Sequence, residues 1–251
     1  MERKTEAVRE AVVGLHVNGL LQATWTASPD HLEALAAGRL MALGFIRAPE
    51  HLLRLDVSGE GGAFRLIAEV PPDRAAAALA ERAHRAEHGC GLRFLLDCRP
   101  DLLPRRAARS DPSTDGGPGP LPSSDAFPGL LRELFDRSTS RRTTGGHHTT
   151  ALSDGSRVLF LHEVVGRHNG ADRAIGAALL AGHELGALGL VTTARISGEI
   201  AEKAARAGLA WIASRSVPTT LALEIAGAAG TPVVGRAGGR EARIFEPGRR
   251  P

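Results

Sequence analysis

Five clusters in the second half of the chain, and one cysteine in the first half, carry the side chains that could do chemistry. Thr144-Gly145-Gly146-His147-His148 reads as a tight turn beside imidazoles. Gly146 is free there to take a backbone conformation that other residues resist, letting the main chain approach a ligand. Gly166-Arg167-His168-Asn169, with Asp172 three residues on, offers a guanidinium that can clamp a phosphate or carboxylate through two hydrogen bonds. Asn169 is placed to cap a helix, and Asp172 to orient His168 or to accept a hydrogen bond from a base or sugar. Thr192-Thr193-Ala194-Arg195-Ile196-Ser197 and Ser214-Arg215-Ser216-Val217-Pro218-Thr219-Thr220 bring hydroxyls and helix starts, and Gly235-Arg236 is the fifth cluster. Plainer readings stand beside these: a loop with solvated histidines, a capped helix with an exposed Arg–Asp pair worth little, and hydroxyls that only cap helices.

Cys90 lies between Gly89 and Gly91, with His88, Arg85 and Arg93 close by in sequence. Cationic neighbours favour the thiolate, which can take sulfane sulfur from a donor and hold it as a persulfide. An inert loop cysteine is the alternative, and Cys98, in Leu95-Leu96-Asp97-Cys98, reads as packing. A metal would draw on His147, His148, His162 and His168. The zinc deaminase site, however, needs a His-x-Glu and a Pro-Cys-x-x-Cys, and no cysteine follows Cys98. No Walker loop is present either. The sequence points to no metal and no ATP hydrolysis.

Elements must position these residues. Residues 11–15 and 20–26 are apolar runs joined by Asn18-Gly19, a hairpin signal. Ser28-Pro29 then predicts a helix start with Ser28 as N-cap, followed by Leu32, Leu35, Ala36 and Leu40 at helical spacing. Strand-like runs at 53–57 and 63–70 and a helix over 73–87 complete a small α+β unit. Pro, Gly, Ser and Asp dominate 104–128, which reads as a linker. The domains are therefore 1–103, with the Cys90 loop, and 129–251. In the second domain strands at 158–161, 188–191, 210–213, 231–234 and 242–245 alternate with helices up to Gly182, over 197–207 and over 218–226. That alternation implies an α/β domain with a mainly parallel, covered sheet. Ligands of such sheets bind beyond the carboxyl ends of the strands. The four clusters that follow strands fall at that rim, with helix N-termini at Asn169, Ser197 and Ser216 that favour phosphate.

Composition narrows the class. The chain has 251 residues, a formal charge of +3, and Lys4 and Lys203 as its only lysines; the arginine bias reflects a GC-rich genome more than a demand for guanidinium groups. With 4% aromatic residues and no Tyr, the stacking surface for single-stranded nucleic acid is missing. No apolar run is long enough to span a bilayer, and the first residues lack the apolar core of a signal peptide. The expected location is the cytoplasm, where two cysteines are not a structural disulfide.

Taken in order, the motifs resemble the formate dehydrogenase accessory sulfurtransferase family, FdhD. Thr-Gly-Gly-x-His stands at 144–148, and Glu-Asp-Val-Gly-Arg-His-Asn-x-x-Asp at 163–172 with Val164 in place of Asp. Ser-Gly-Arg-x-Ser-x-Glu corresponds to 193–199, followed by Lys203, Ala207 and Gly208, and Ser-x-Ser-x-Pro-Thr to 214–219. Weaker matches are Val17-Asn18-Gly19, Ala27-Ser28-Pro29 and Gly89-Cys90-Gly91. The resemblance implies a C-terminal three-layer α/β sandwich, cytidine-deaminase-like but without zinc, in a homodimer. It further implies sulfur taken from a cysteine desulfurase by Cys90 and passed to the molybdenum of bis-molybdopterin guanine dinucleotide for a formate dehydrogenase-type molybdoenzyme. Carried over by position, the cofactor would be held by Thr144, Gly145, Gly146, His148, Gly166, Arg167, His168, Asp172, Arg195, Ser197, Ser216 and Thr219. The loop Gly235, Arg236, Ala237, Gly238, Gly239, Arg240 and Glu241 would complete that site. Two departures stand out: Arg93 replaces the family's second cysteine, and Arg236 stands where an aromatic follows Gly235. A non-catalytic cofactor chaperone that kept the nucleotide site is the alternative function.

Overall fold

The computed structural model describes residues 7–87, 119–239 and 242–245. Cys90, Arg93, Cys98, most of the linker, Arg240 and Glu241 lie outside them. The described residues form a mixed α/β structure with two sheets.

The first sheet has the order β2-β1-β4-β3, from β1 (Ala11–Val17), β2 (Leu20–Ala27), β3 (Arg54–Glu60) and β4 (Ala63–Glu69). In β1, Ala11, Val13, Leu15 and Val17 are buried while Val12 is exposed, the period of two that covers one face of a strand. The hairpin at Asn18-Gly19 forms as expected, both residues having positive φ (49° and 83°). The Asn18 side chain also donates to Val70 O and accepts from Val70 N, pinning the turn to the end of β4. Helix α1 (Leu32–Ala42) covers the buried face, and α2 (Pro72–Glu87) follows β4.

The expected Ser28 cap does not form. Helix α1 has His31 as its N-cap, in the left-handed region at φ 47°, and no side chain caps it. The loop is recruited by the other unit instead: Ser28 O accepts from Arg173 Nη2 (2.5 Å), and Ser28 Oγ accepts from Val165 N. Tertiary bonds to a fully buried arginine have outcompeted a local cap.

The second sheet has the order β10-β9-β8-β7-β5-β6. Its strands are β5 (His148–Ser153), β6 (Val158–Val164), β7 (Gly189–Thr192), β8 (Ile212–Ser214), β9 (Val233–Gly235) and β10 (Arg243–Phe245). It is not mainly parallel. Only β7/β8 and β8/β9 pair in parallel, while β5/β6, β5/β7 and β9/β10 are antiparallel. The sequence reading missed β5, because its core replaces an apolar run with Thr149 and Thr150, buried hydroxyls that a hydrophobic pattern does not register. Side chains alternate between the faces of the sheet. Val191, Ala213 and Val234 meet α3 (Ala126–Asp136), and Leu190, Ile212 and Val233 join the cluster that includes α5 (Arg167–Leu180), α6 (Gly198–Arg206) and α7 (Thr220–Ala229). A short helix, α4 (Thr139–Thr144), leads into β5.

The two units join where α1 crosses α5. A Cβ on Gly38 would lie 1.8 Å from Asp172 O, and one on Gly176 would lie 1.9 Å from Ala34 O, so the backbones touch. At this crossing Asp172, fully buried, pairs with Lys203 Nζ (2.5 Å) and Arg39 Nε (3.0 Å). The same junction buries His162 against His31, ring centroids 4.9 Å apart.

Two outcomes test this junction. Gly176→Val drives a side chain into the α1 backbone and should cost about 3 kcal/mol or more of unfolding free energy in a urea titration. Gly227→Ala, where nothing lies within 4 Å, should raise it by about 0.5–1 kcal/mol. His162 is pushed down to about 4, by burial first and then by the charges of His31 and Arg173. Its unfolded value is 6.5, so the unfolded chain binds the extra proton between these limits. Stability from His162 is therefore complete above pH 6.5 and lost as pH falls toward 4, up to on the order of 3 kcal/mol. His162→Phe should remove that part of the acid slope when unfolding is followed from pH 7 to 4 in phosphate-free buffer.

Candidate functional site

Strand register decides what shares a rim. Thr192 sits beside Ser214 and opposite Thr150, and His148 lies opposite Val164. The C-terminal ends of β6, β7, β8 and β9 thus lie together with the N-terminal start of β5. One rim collects His148, the Gly166-Arg167-His168 turn, Thr192-Thr193, Ser214-Arg215-Ser216 and Gly235-Arg236. The expected convergence holds, and the antiparallel β5 is what brings the Thr144–His148 segment into it.

Buried hydroxyls lock the strand ends. Ser138 Oγ bonds Thr149 Oγ1 (2.8 Å), and Thr150 Oγ1 bonds Thr192 Oγ1 (2.9 Å). Ser214 Oγ donates to Ala194 O (2.5 Å) and accepts from Ser216 N (2.9 Å). Several expected ligand residues also hold the framework. Thr144 Oγ1 bonds His147 Nδ1 and donates to Ser140 O, and Gly145 ends α4 at φ 70°. Gly146 makes room for Val8, whose Cγ2 would lie 2.8 Å from a Cβ there. Thr219 caps α7 by accepting from Ala222 N, so that helix starts after Thr219 and not at Ser216. Ser216 O accepts from Arg236 N (2.7 Å), and the buried Ala237 donates its N–H to Ser214 O. Gly235 has no room for a side chain because Pro218 Cδ lies 2.9 Å from the Cβ position.

Two expectations for α5 are corrected. Its N-cap is Gly166, and Asn169 lies inside the helix, its amide donating to Thr26 O and accepting from Arg39 Nη2. Asp172 is fully buried and pairs with Lys203 and Arg39, and its hydrogen bond goes to Lys203 and not to His168. An uncompensated carboxylate could not be buried there, and the two cations hold it. Burial pulls Lys203 below its usual value while Asp172 opposes the shift.

The remaining rim residues form two groups. In one, Arg167 opens α5 with its Nε buried and without a partner, and His168 Nδ1 lies 3.0 Å from Glu199 Oε2. Burial lowers His168, with Glu199 working against it and Arg167 adding to it; burial and then Arg167 and Arg141 lower His148. Ser197 is the N-cap of α6, yet its buried Oγ makes no hydrogen bond, and Arg195 is exposed in the loop before it.

The other group surrounds a cleft of about 720 Å³ lined by Pro128, Leu131, Arg132 and Phe135 of α3 together with Arg215, Arg236, Gly238 and Gly239. Arg132, Arg215 and Arg236 line it, and no carboxylate stands among its described lining residues. Arg141 and Arg215 lie over the Phe135 ring, 4.9 and 5.1 Å from its centroid. Arg236 holds the turn at φ 52°. The sequence reading gave Arg236, Gly238 and Gly239 a ligand role and placed Arg215 in a rim cluster without one, and it did not anticipate the α3 wall. The signal was present: residues 128, 131, 132 and 135 follow the i, i+3, i+4, i+7 spacing of one helix face.

The model of the FdhD/NarQ family matches residues 8–251. The chain belongs to the FdhD/NarQ family. It is 32% identical over 237 residues to a protein of Burkholderia mallei named sulfur carrier protein FdhD, covering 90% of this chain and 83% of that one. A protein of Shouchella clausii with the same name is 30% identical over 218 residues, covering 87% and 79%. The fold matches the crystal structure of a Desulfotalea psychrophila protein assigned as a formate dehydrogenase accessory protein, with a TM-score of 0.70 over 95% of this chain and 87% of that one, at 22% identity. For this FdhD/NarQ chain, no helix among the described residues is long and apolar enough to cross a membrane.

Arg167 lowers both rim imidazoles, so Arg167→Ala should raise the pKa of His148 and of His168 together. Glu199→Gln should lower His168 alone. Imidazole resonances followed against pH by NMR read both shifts.

Proposed function

We propose that this chain is a sulfur carrier that loads a molybdenum cofactor. Sulfur arrives from a cysteine desulfurase, is held on Cys90 as a persulfide, and passes to the molybdenum of bis-molybdopterin guanine dinucleotide destined for a formate dehydrogenase-type molybdoenzyme. The observation that carries the reading is the arginine-lined cleft beside Phe135, in a chain whose relatives are named sulfur carriers. Arg132, Arg215 and Arg236 supply the charge that a diphosphate needs, and Gly238 and Gly239 let backbone come close to it. Phe135 supplies an aromatic surface for guanine, in place of the aromatic missing after Gly235. Arg167, His148, His168, Arg195 and Ser197 extend the rim toward the pterin end, and the protein works as a homodimer.

In the loading step the Cys90 thiolate attacks the terminal sulfur of the donor's persulfide. A new S–S bond forms on Cys90, the donor's S–S bond breaks, and the donor cysteine leaves as thiolate. No net oxidation or reduction occurs. With Arg93 in place of a second cysteine, the adjacent thiol that would displace the outer sulfur is gone, so the persulfide should persist.

Incubated with cysteine and a desulfurase, the wild type should gain one sulfur atom by mass spectrometry and Cys90→Ala should not. A wild type that stays unmodified would leave only the cofactor-binding chaperone. GDP should bind the purified protein, and Arg215→Ala should weaken it about tenfold or more, a loss of about 1.4 kcal/mol by calorimetry. No GDP binding by the wild type would overturn the nucleotide site.

A further inference from the structure

A second cleft, of about 500 Å³, opens at the junction of the two units, and the arginine-lined site does not include it. Its walls are the segment before β1 with Val8 and Arg9, the β2–α1 loop with Asp30 and His31, the end of β6 with His162 and Glu163, and α4 with the turn after it. At its floor His162 is only 7% exposed, and neither ring nitrogen has a hydrogen-bond partner. Native proteins rarely leave such groups unpaired, and those that remain point to a ligand or ordered water.

Two further features lie beside His162. His31, edge-on to His162, holds a positive φ that a non-glycine residue keeps only when its surroundings impose it. Arg173, wholly buried and near enough for its charge to act on His162, gives Nη1 to Asp30 and Nη2 to Ser28 O and leaves Nε unpaired. The carboxylates in the cleft are already engaged. Asp30 takes Arg173, and Glu163 accepts from Ser140 N (2.9 Å) and Arg141 N (2.6 Å).

A neutral imidazole offers one N–H and one lone pair, and Arg173 Nε offers one N–H. On the lining itself His162 thus offers one donor and one acceptor, which an occupant carrying one acceptor and one donor would satisfy, while Arg173 lies buried behind the lining. Arg9 at the cleft wall and Arg173 behind it supply positive charge, while Asp30 and Glu163 are held by Arg173 and by the N–H groups of Ser140 and Arg141. We propose that the junction cleft binds a small oxyanion that keeps a proton, of the hydrogen phosphate class, with His162 reading the proton and Arg173 the charge. Burial, His31 and Arg173 keep the His162 ring neutral at pH 7, as this pairing requires. Asp30 opposes them, and Glu163, His147 and Arg9 are the other titratable or charged groups in the cleft.

Inorganic phosphate titrated into the full chain tests this by calorimetry and by NMR of the His162 imidazole. The expected result is saturable binding with a rise of at least one unit in the His162 pKa, a tenfold preference of the anion for the protonated ring. Sulfate, which carries no proton near neutral pH, should bind about tenfold more weakly or worse. His162→Phe should abolish phosphate binding while GDP still binds at the arginine cleft, which also shows that the variant is folded. The proposal is overturned if phosphate leaves the His162 resonances of the wild type unmoved, since water alone then fills the cleft. Equal affinity for sulfate overturns it too, as does phosphate that GDP displaces, which would place the anion among the arginines. The GDP arm is read separately, so its failure bears on the nucleotide site and not on this one.

Discussion

Asp172 is the interaction on which the rest of the structure leans. Its carboxylate is wholly buried in α5 and is held by Lys203 of α6 and Arg39 of α1, so one charge ties three helices and both units. Such a cluster is expensive to desolvate and more expensive to break, since losing one cation strands a charge. Gly38 and Gly176 make it possible by letting α1 and α5 approach backbone to backbone. Arg39 is anchored in turn by Asn169 and by its position over the Trp25 ring, 4.7 Å from the centroid. The consequence reaches the rim. Arg167 and His168 are the first residues of α5, so the cluster that fixes the helix axis also fixes where they stand.

The rim itself separates framework from contact. Serine and threonine hydroxyls are spent on strand ends and turns, so the backbone there is satisfied without any ligand. Arg141 and Arg215 both lie over Phe135, and two like charges on one ring repel each other unless an anion comes between or beside them. Cationic charge at the cleft disfavours a cationic competitor.

Much of this was legible in the sequence, and the failures share a cause. Periodicity placed the helices and the strands with apolar cores, and the order of polar clusters placed them at one rim. Strand β5 escaped because Thr149 and Thr150 are buried through hydroxyl pairing, which no hydrophobic count detects. Ser28 misled because its hydrogen bonds go to residues more than 130 positions away. Asp172 carries a motif's signature, yet only the crossing of α1 shows that it faces inward. The α3 wall was readable as a helix face but not as a site, because its distance from Arg215 and Arg236 exists only after the sheet forms. Pattern reports an element's own periodicity; partners across the fold are decided elsewhere.

The two clefts follow different electrostatic rules. Arginine stays charged at every accessible pH, so the cleft beside Phe135 recognises an anion by charge and planar geometry and is indifferent to the ligand's proton. His162 is neutral because its surroundings make the charged form costly, and a neutral ring is both donor and acceptor. That distinction matters at the junction, where a permanent charge in place of His162 would face Arg173 with only Asp30 to balance it. An imidazole avoids that cost until an anion arrives. The occupant and the proton then stabilise each other, and because the ring belongs to β6 and its neighbour His31 to the start of α1, their binding acts on the contact between the two units.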